Sequence, residues 1–195
     1  EGMQKDADDD GGEIEYDEHV WLSLRNAEKA VKVIADDLSQ LQPENQKDFQ
    51  ANADAYISKL SALDQRYQKT VDGASNKVLV FGDRFPFRYM VDDYNINYYA
   101  AFVGCSAETE ASFETISFLA KKVDELNLKH IMVIETSDKK IANTIKDNTA
   151  NKDQDILVLD SIQSVDKEKM KQSYLDIMES NLNVLAQALD TEPAE

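Results

Sequence analysis

Val78-Leu79-Val80-Phe81-Gly82-Asp83-Arg84 is a run of four apolar residues, β-branched at two positions, that stops at a glycine and two charges. A short, continuously apolar run bounded by a turn signal fits a strand buried on both faces. Three further runs of the same kind follow: Tyr98-Tyr99-Ala100-Ala101-Phe102-Val103, Ile131-Met132-Val133-Ile134 and Ile156-Leu157-Val158-Leu159. Between them the periodicity changes to helical, over about 86–94, 113–127 and 138–149, with Ser112 placed to cap the second helix and Asn127 to end it. A last helix, about 167–189, turns Met170, Tyr174, Ile177, Met178, Leu182, Leu185 and Leu189 to one side. Strands alternating with helices of this length predict an α/β fold: a parallel four-stranded sheet flanked by helices.

Upstream of Gly73 the pattern is helical throughout. Leu24, Ala27, Val31, Ile34, Leu38 and Leu41 are spaced three or four apart and predict an amphipathic helix, which Gln42-Pro43-Glu44 breaks. Pro43 suits the first turn of a second helix, because its missing N–H is not needed there. Phe49, Ala53, Tyr56, Leu60, Leu63, Tyr67 and Val71 carry that helix to Gly73. At ~1.5 Å per residue it spans roughly 40 Å, long enough for a spine between two lobes. Residues 1–18, with Asp8-Asp9-Asp10-Gly11-Gly12-Glu13, offer little to bury and read as an acidic mobile loop.

Composition narrows the function. Asp and Glu number 38 against 21 Lys and Arg, a net charge of −17, which opposes nucleic acid and anionic lipid and favours cations as ligands. Cys105 is the one cysteine, so any metal site must use histidine and carboxylates. It lies beside Glu108 and Glu110, which disfavour a thiolate, and reads as structural. The longest apolar run is well short of the ~20 residues a membrane-spanning helix needs, and any leader or lipid anchor is expected outside this chain. No Gly-x-Ser-x-Gly and no phosphate-binding glycine loop occurs, and an enzyme is not expected.

Ligands of an open parallel sheet bind beyond the carboxyl ends of its strands. There the sequence places Asp83, Glu135 and Asp160, each directly after a strand or one glycine beyond it. Of the two histidines, His130 opens the third strand at the opposite end and reads as structural or solvent-facing. His19 sits in Glu15-Tyr16-Asp17-Glu18-His19-Val20-Trp21-Leu22, where an imidazole among carboxylates suits Zn²⁺ or Mn²⁺.

These residues resemble the metal-specific solute-binding lipoproteins of bacterial ABC importers. Asp17-Glu18-His19-Val20-Trp21-Leu22-Ser23-Leu24-Arg25-Asn26-Ala27 is similar to that family's Asp-Pro-His-x-Trp-Leu segment, whose histidine binds metal, with Glu18 in place of proline. Ser106-Ala107-Glu108-Thr109-Glu110-Ala111-Ser112 resembles its Ser-x-Glu-x-Glu-Pro-Ser turn, and Leu159-Asp160-Ser161-Ile162 its last strand end. Asp83 falls where the family carries a longer histidine or glutamate. The resemblance implies metal ligands His19, Asp83 and Asp160. It implies a C-terminal lobe of a two-lobed protein, with residues 1–18 the acidic loop, 19–42 a remnant of the N-terminal lobe, 43–73 the linking helix and 74–195 the βα lobe. It further implies capture of a divalent ion, Zn²⁺ ahead of Mn²⁺, and delivery to an ABC transporter permease from the cell surface or periplasm. A surface adhesin or interaction module of the same fold is the alternative.

Overall fold

The computed structural model describes residues 16–102, 111–165, 167 and 169–195. Four strands, β1 (Val78–Phe81), β2 (Asn97–Ala100), β3 (His130–Ile134) and β4 (Asp155–Leu159), form one sheet in the order β2-β1-β3-β4, all parallel. Among the described residues six α-helices accompany it: α1 (Leu24–Leu41), α2 (Gln46–Gly73), α3 (Arg88–Asp93), α4 (Phe113–Glu125), α5 (Lys140–Asp147) and α6 (Tyr174–Ala188). The expected α/β architecture is the observed one, down to Ser112 capping α4 through Thr115 N and Asn127 taking a left-handed φ of 51° after its end.

The alternation of side chains along each strand divides the core between the two faces of the sheet. Leu79, Phe81, Met132, Ile134 and Leu159 face α2, α3 and α6, where they meet Leu60, Tyr67, Met90, Met178 and Leu182. Val80, Ile131 and Val133 face α4 and α5, against Leu119, Val123, Ala142 and Ile145. At Gly82 the contact with α5 is so close that a Cβ would lie 2.6 Å from the Ala142 backbone. On the α2, α3 and α6 side, Phe81 stacks on Phe87 and meets Phe85 edge-on.

The 28 residues of α2 span roughly 42 Å at 1.5 Å per residue. α1 returns along α2 as an antiparallel hairpin: Arg25 bonds Asp64 and Gln68 at one end, and Gln50 bonds Asp36 and Ser39 at the other. The base of the hairpin belongs to the main core, since Leu22 and Leu24 are buried beside Leu60 and Tyr67. Its tip does not: Ile34 is 58% and Leu41 77% exposed, so the apolar stripe of α1 is only half covered.

Several sequence expectations shift at element ends. The last helix begins at Tyr174, not near 167, because Ser173 and Asp176 form a reciprocal capping box there. Met170 consequently sits in a short 3-10 turn, 75% exposed, instead of in the core. The strand expected to reach Val103 ends at Ala100. Val103, Cys105 and the turn from Ser106 to Glu110 lie outside the described residues, as do residues 1–15 of the acidic stretch. Among the described residues no helix is long and apolar enough to cross a membrane.

Candidate metal centre

The segment from Asp17 to Leu22 forms a compact turn. Asp17 Oδ1 accepts from the backbone N–H of His19 at 2.8 Å, an aspartate bonding two residues ahead and so closing a turn. A 3-10 turn, Val20–Leu22, follows, and Ser23 then caps α1 through Asn26 N while its hydroxyl donates to Asp93. Three anchors fix this turn to the sheet domain. The Tyr89 hydroxyl donates to Asp17 O at 2.6 Å, the Trp21 indole N–H to Ser161 O at 3.1 Å, and the Tyr174 hydroxyl to Trp21 O at 2.7 Å. The turn therefore rests at the carboxyl ends of the strands, beside the residues that follow β1 and β4. Asp17, within the acidic stretch 1–18, is buried here.

Within the turn, His19 is 3% exposed and its Nδ1 lies 2.9 Å from Asp17 Oδ1. Burial raises the Asp17 carboxyl. Its hydrogen bonds from the ring and backbone of His19, with the charges of His19 and Arg88, outweigh that and hold it below its ordinary range. With Asp17 ionised, Nδ1 is the donating nitrogen, and in the neutral form of the ring Nε2 would then be the atom to face a metal ion. A carboxylate fixing one imidazole nitrogen so that the other can bind metal is the usual support of a metal-ligating histidine. Glu18 completes a group: one ligand atom each from Asp17, Glu18 and His19 lie within 4.8 Å of one another.

Asp83, Glu135 and Asp160 all lie at the carboxyl edge, as the parallel register requires. Their surroundings differ. Asp83 Oδ1 accepts from Arg84 N at 2.8 Å and Oδ2 from Ile134 N at 3.4 Å, which ties the end of β1 to β3. It lines a cavity of about 250 Å³ with Gly82, Arg84, Thr136 and Ser137, between β1 and β3 where the strand order reverses. Glu135 accepts from Ser161 N and Oγ, both at 2.8 Å, and from Gln163 N and Ser164 N. Burial raises the Glu135 carboxyl, but the Ser161 hydrogen bonds and the Lys169 charge outweigh it, for a net depression. Glu135 is thus the organiser of the loop after β4. Asp160 pairs with Lys169 at 2.6 Å.

His19, Asp83 and Asp160 are therefore placed at one edge, but among the described residues they do not form one close group; Asp17, Glu18 and His19 do. Asp17 is a partner of His19 that the sequence analysis did not single out, and its spacing of two is the signal that points to it. Lys169, nine residues beyond Asp160, gave no sequence signal. His130, at the other edge, is mostly buried at the start of β3.

Comparison with known proteins places the chain. The zinc-binding lipoprotein AdcA of Streptococcus pneumoniae serotype 4 is 34% identical over 98% of this chain and 38% of its own length. The high-affinity zinc uptake system protein ZnuA of Bacillus subtilis is 30% identical over 89% of this chain and 53% of its own. The chain thus spans about half or less of these two relatives. The Zn(II)-bound ZnuA-like domain of S. pneumoniae AdcA superposes with a TM-score of 0.73 at 33% identity, covering 93% of this chain and 66% of that one. With the model of the periplasmic zinc-uptake complex component A matched over residues 1–188, the chain belongs to the ZnuA family.

Proposed function

We propose that the chain forms part of an extracytoplasmic solute-binding protein that captures a divalent cation and hands it to an ABC transporter permease. The cargo is Zn²⁺, with Mn²⁺ the alternative. The observation that carries this is the buried Asp17–His19 pair, fastened at the carboxyl edge of a parallel sheet where Asp83 and Asp160 also stand. His19, Asp83 and Asp160 are the metal ligands in this reading. Imidazole with carboxylates and no thiolate suits a borderline-to-hard ion, and the names of the relatives speak for zinc over manganese. Residues 43–73 link a first-lobe portion, 19–42, to the βα lobe, 74–195, and 1–18 is the acidic loop. Attachment to the membrane is through a lipid anchor outside this chain, at the cell surface or in the periplasm.

Elemental analysis of the full-length protein purified without chelator tests the reading, with equimolar zinc as the expected result. Absence of metal, together with a melting temperature unmoved by added Zn²⁺ or Mn²⁺, would overturn it in favour of an adhesin or interaction module.

A further inference from the structure

Asp160 already has a cation. Lys169 Nζ lies 2.6 Å from its Oδ2, with the two side chains 20% and 19% exposed. Asp160 Oδ1 accepts from Ile162 N at 2.9 Å, and the same Lys169 ammonium donates to Ser164 O at 3.2 Å. Lys169 also acts electrostatically on Glu135, whose own oxygens hold Ser161 and Ser164. One ammonium therefore serves both carboxylates that follow β3 and β4, on the loop to which Trp21 ties the His19 turn.

We propose that Lys169 is a built-in counter-ion that holds Asp160 while the protein is without cargo and that an arriving divalent cation displaces. This rests on the assignment of Asp160 as a ligand made above. A largely desolvated carboxylate without a partner is costly, so the pairing keeps the empty site stable. The same pairing weakens cation binding by the fraction of molecules in which Asp160 is engaged. It also selects on charge. A monovalent ion that displaces Lys169 exchanges one positive charge for another and gains nothing. A divalent ion brings a second charge to a region that already holds Asp160 and Glu135. Lysine suits this role, because its ammonium is a point charge on a flexible stem that can withdraw and be rehydrated, with no bidentate grip to break.

The test compares Zn²⁺ affinity, by chelator competition on the full-length protein, among wild type, Lys169→Met and Lys169→Arg, with His19→Ala alongside and melting temperature as the check on folding. Lys169→Met is expected to bind zinc about fivefold tighter, the effect of removing a competing ion pair of ordinary strength. Lys169→Arg, which keeps a cation and adds a bidentate grip, is expected to bind zinc no tighter than wild type. A second measurement needs no variant: acylation of Lys169 by an amine-reactive reagent, mapped by mass spectrometry, is expected to speed up when zinc saturates the protein. A folded Lys169→Met protein with unchanged or weaker affinity, or a Lys169 reactivity that zinc does not move, overturns the proposal. Zinc affinity untouched by His19→Ala would instead overturn the metal-capture reading on which it rests.

Discussion

His19 and His130 stand at opposite ends of the same parallel sheet, and both are largely out of solvent. His19 lies at the carboxyl ends of the strands, with Nδ1 2.9 Å from the ionised Asp17. His130 opens β3 at the amino end, with a buried Nδ1 that has no hydrogen-bond partner among the described residues and an Nε2 3.9 Å from Asp190. Burial does not separate the two, but partnership does. A carboxylate fixes the orientation and proton of His19, as metal ligation requires, whereas His130 bears the cost of an unsatisfied polar atom in a position set by the start of a strand.

The contrast can be broken most directly through metal affinity. On the proposed ligand assignment, His19→Ala is expected to weaken Zn²⁺ binding by the full-length protein by an order of magnitude or more, since one of about four ligands would be lost, while His130→Ala leaves it unchanged. Competition titration of both variants decides, and equal affinities would erase the distinction. Asp17→Asn sharpens it. The imidazole stays but loses its charged support, and about a tenfold loss of affinity is expected by the same titration.

Glu135→Gln probes the carboxyl edge without touching either histidine. The folded-state pKa of Glu135 lies below its ordinary value of 4.5. Its contribution to stability is therefore complete above about pH 4.5 and is lost as the pH falls through the folded value. The variant is expected to lose about 1–2 kcal/mol near neutral pH and to show a shallower decline in acid, measured as urea midpoints across the pH range. A decline of the same depth as wild type would deny Glu135 its part in holding the loop after β4. The smallest effect is expected from His130→Phe. It removes the unpartnered nitrogen at similar volume and shifts stability by less than about 1 kcal/mol, with thermal unfolding as the readout.

Much of this was legible in the sequence because the signals were local. Four apolar runs, each stopped by glycine or charge, marked the strands, and the parallel direction then placed Asp83, Glu135 and Asp160 at one edge. The error at Met170 was also local in origin. Its spacing continued the pattern of α6, but the capping box at Ser173 set the start of the helix after it. The site was less readable where contacts are distant. Nothing in the sequence links Tyr89 to Asp17, Trp21 to Ser161 or Lys169 to Asp160, since these pairings arise only once the crossovers bring the loops together. The same limit applies to Glu135, whose four loop hydrogen bonds gave it a supporting role that its position after a strand could not distinguish from a ligand's.

Trp21 is the chain's one tryptophan, and its place gives the molecule a native optical reporter. Its ring centroid is 5.3 Å from that of His19, and its indole N–H is spent on Ser161, next to Asp160. Intrinsic fluorescence therefore comes from a single emitter wedged between the His19 turn and the loop after β4. Any event that reorients the imidazole or shifts the β4 loop should change its intensity or colour, so the proposed cation capture can be tested and timed by stopped flow without a label.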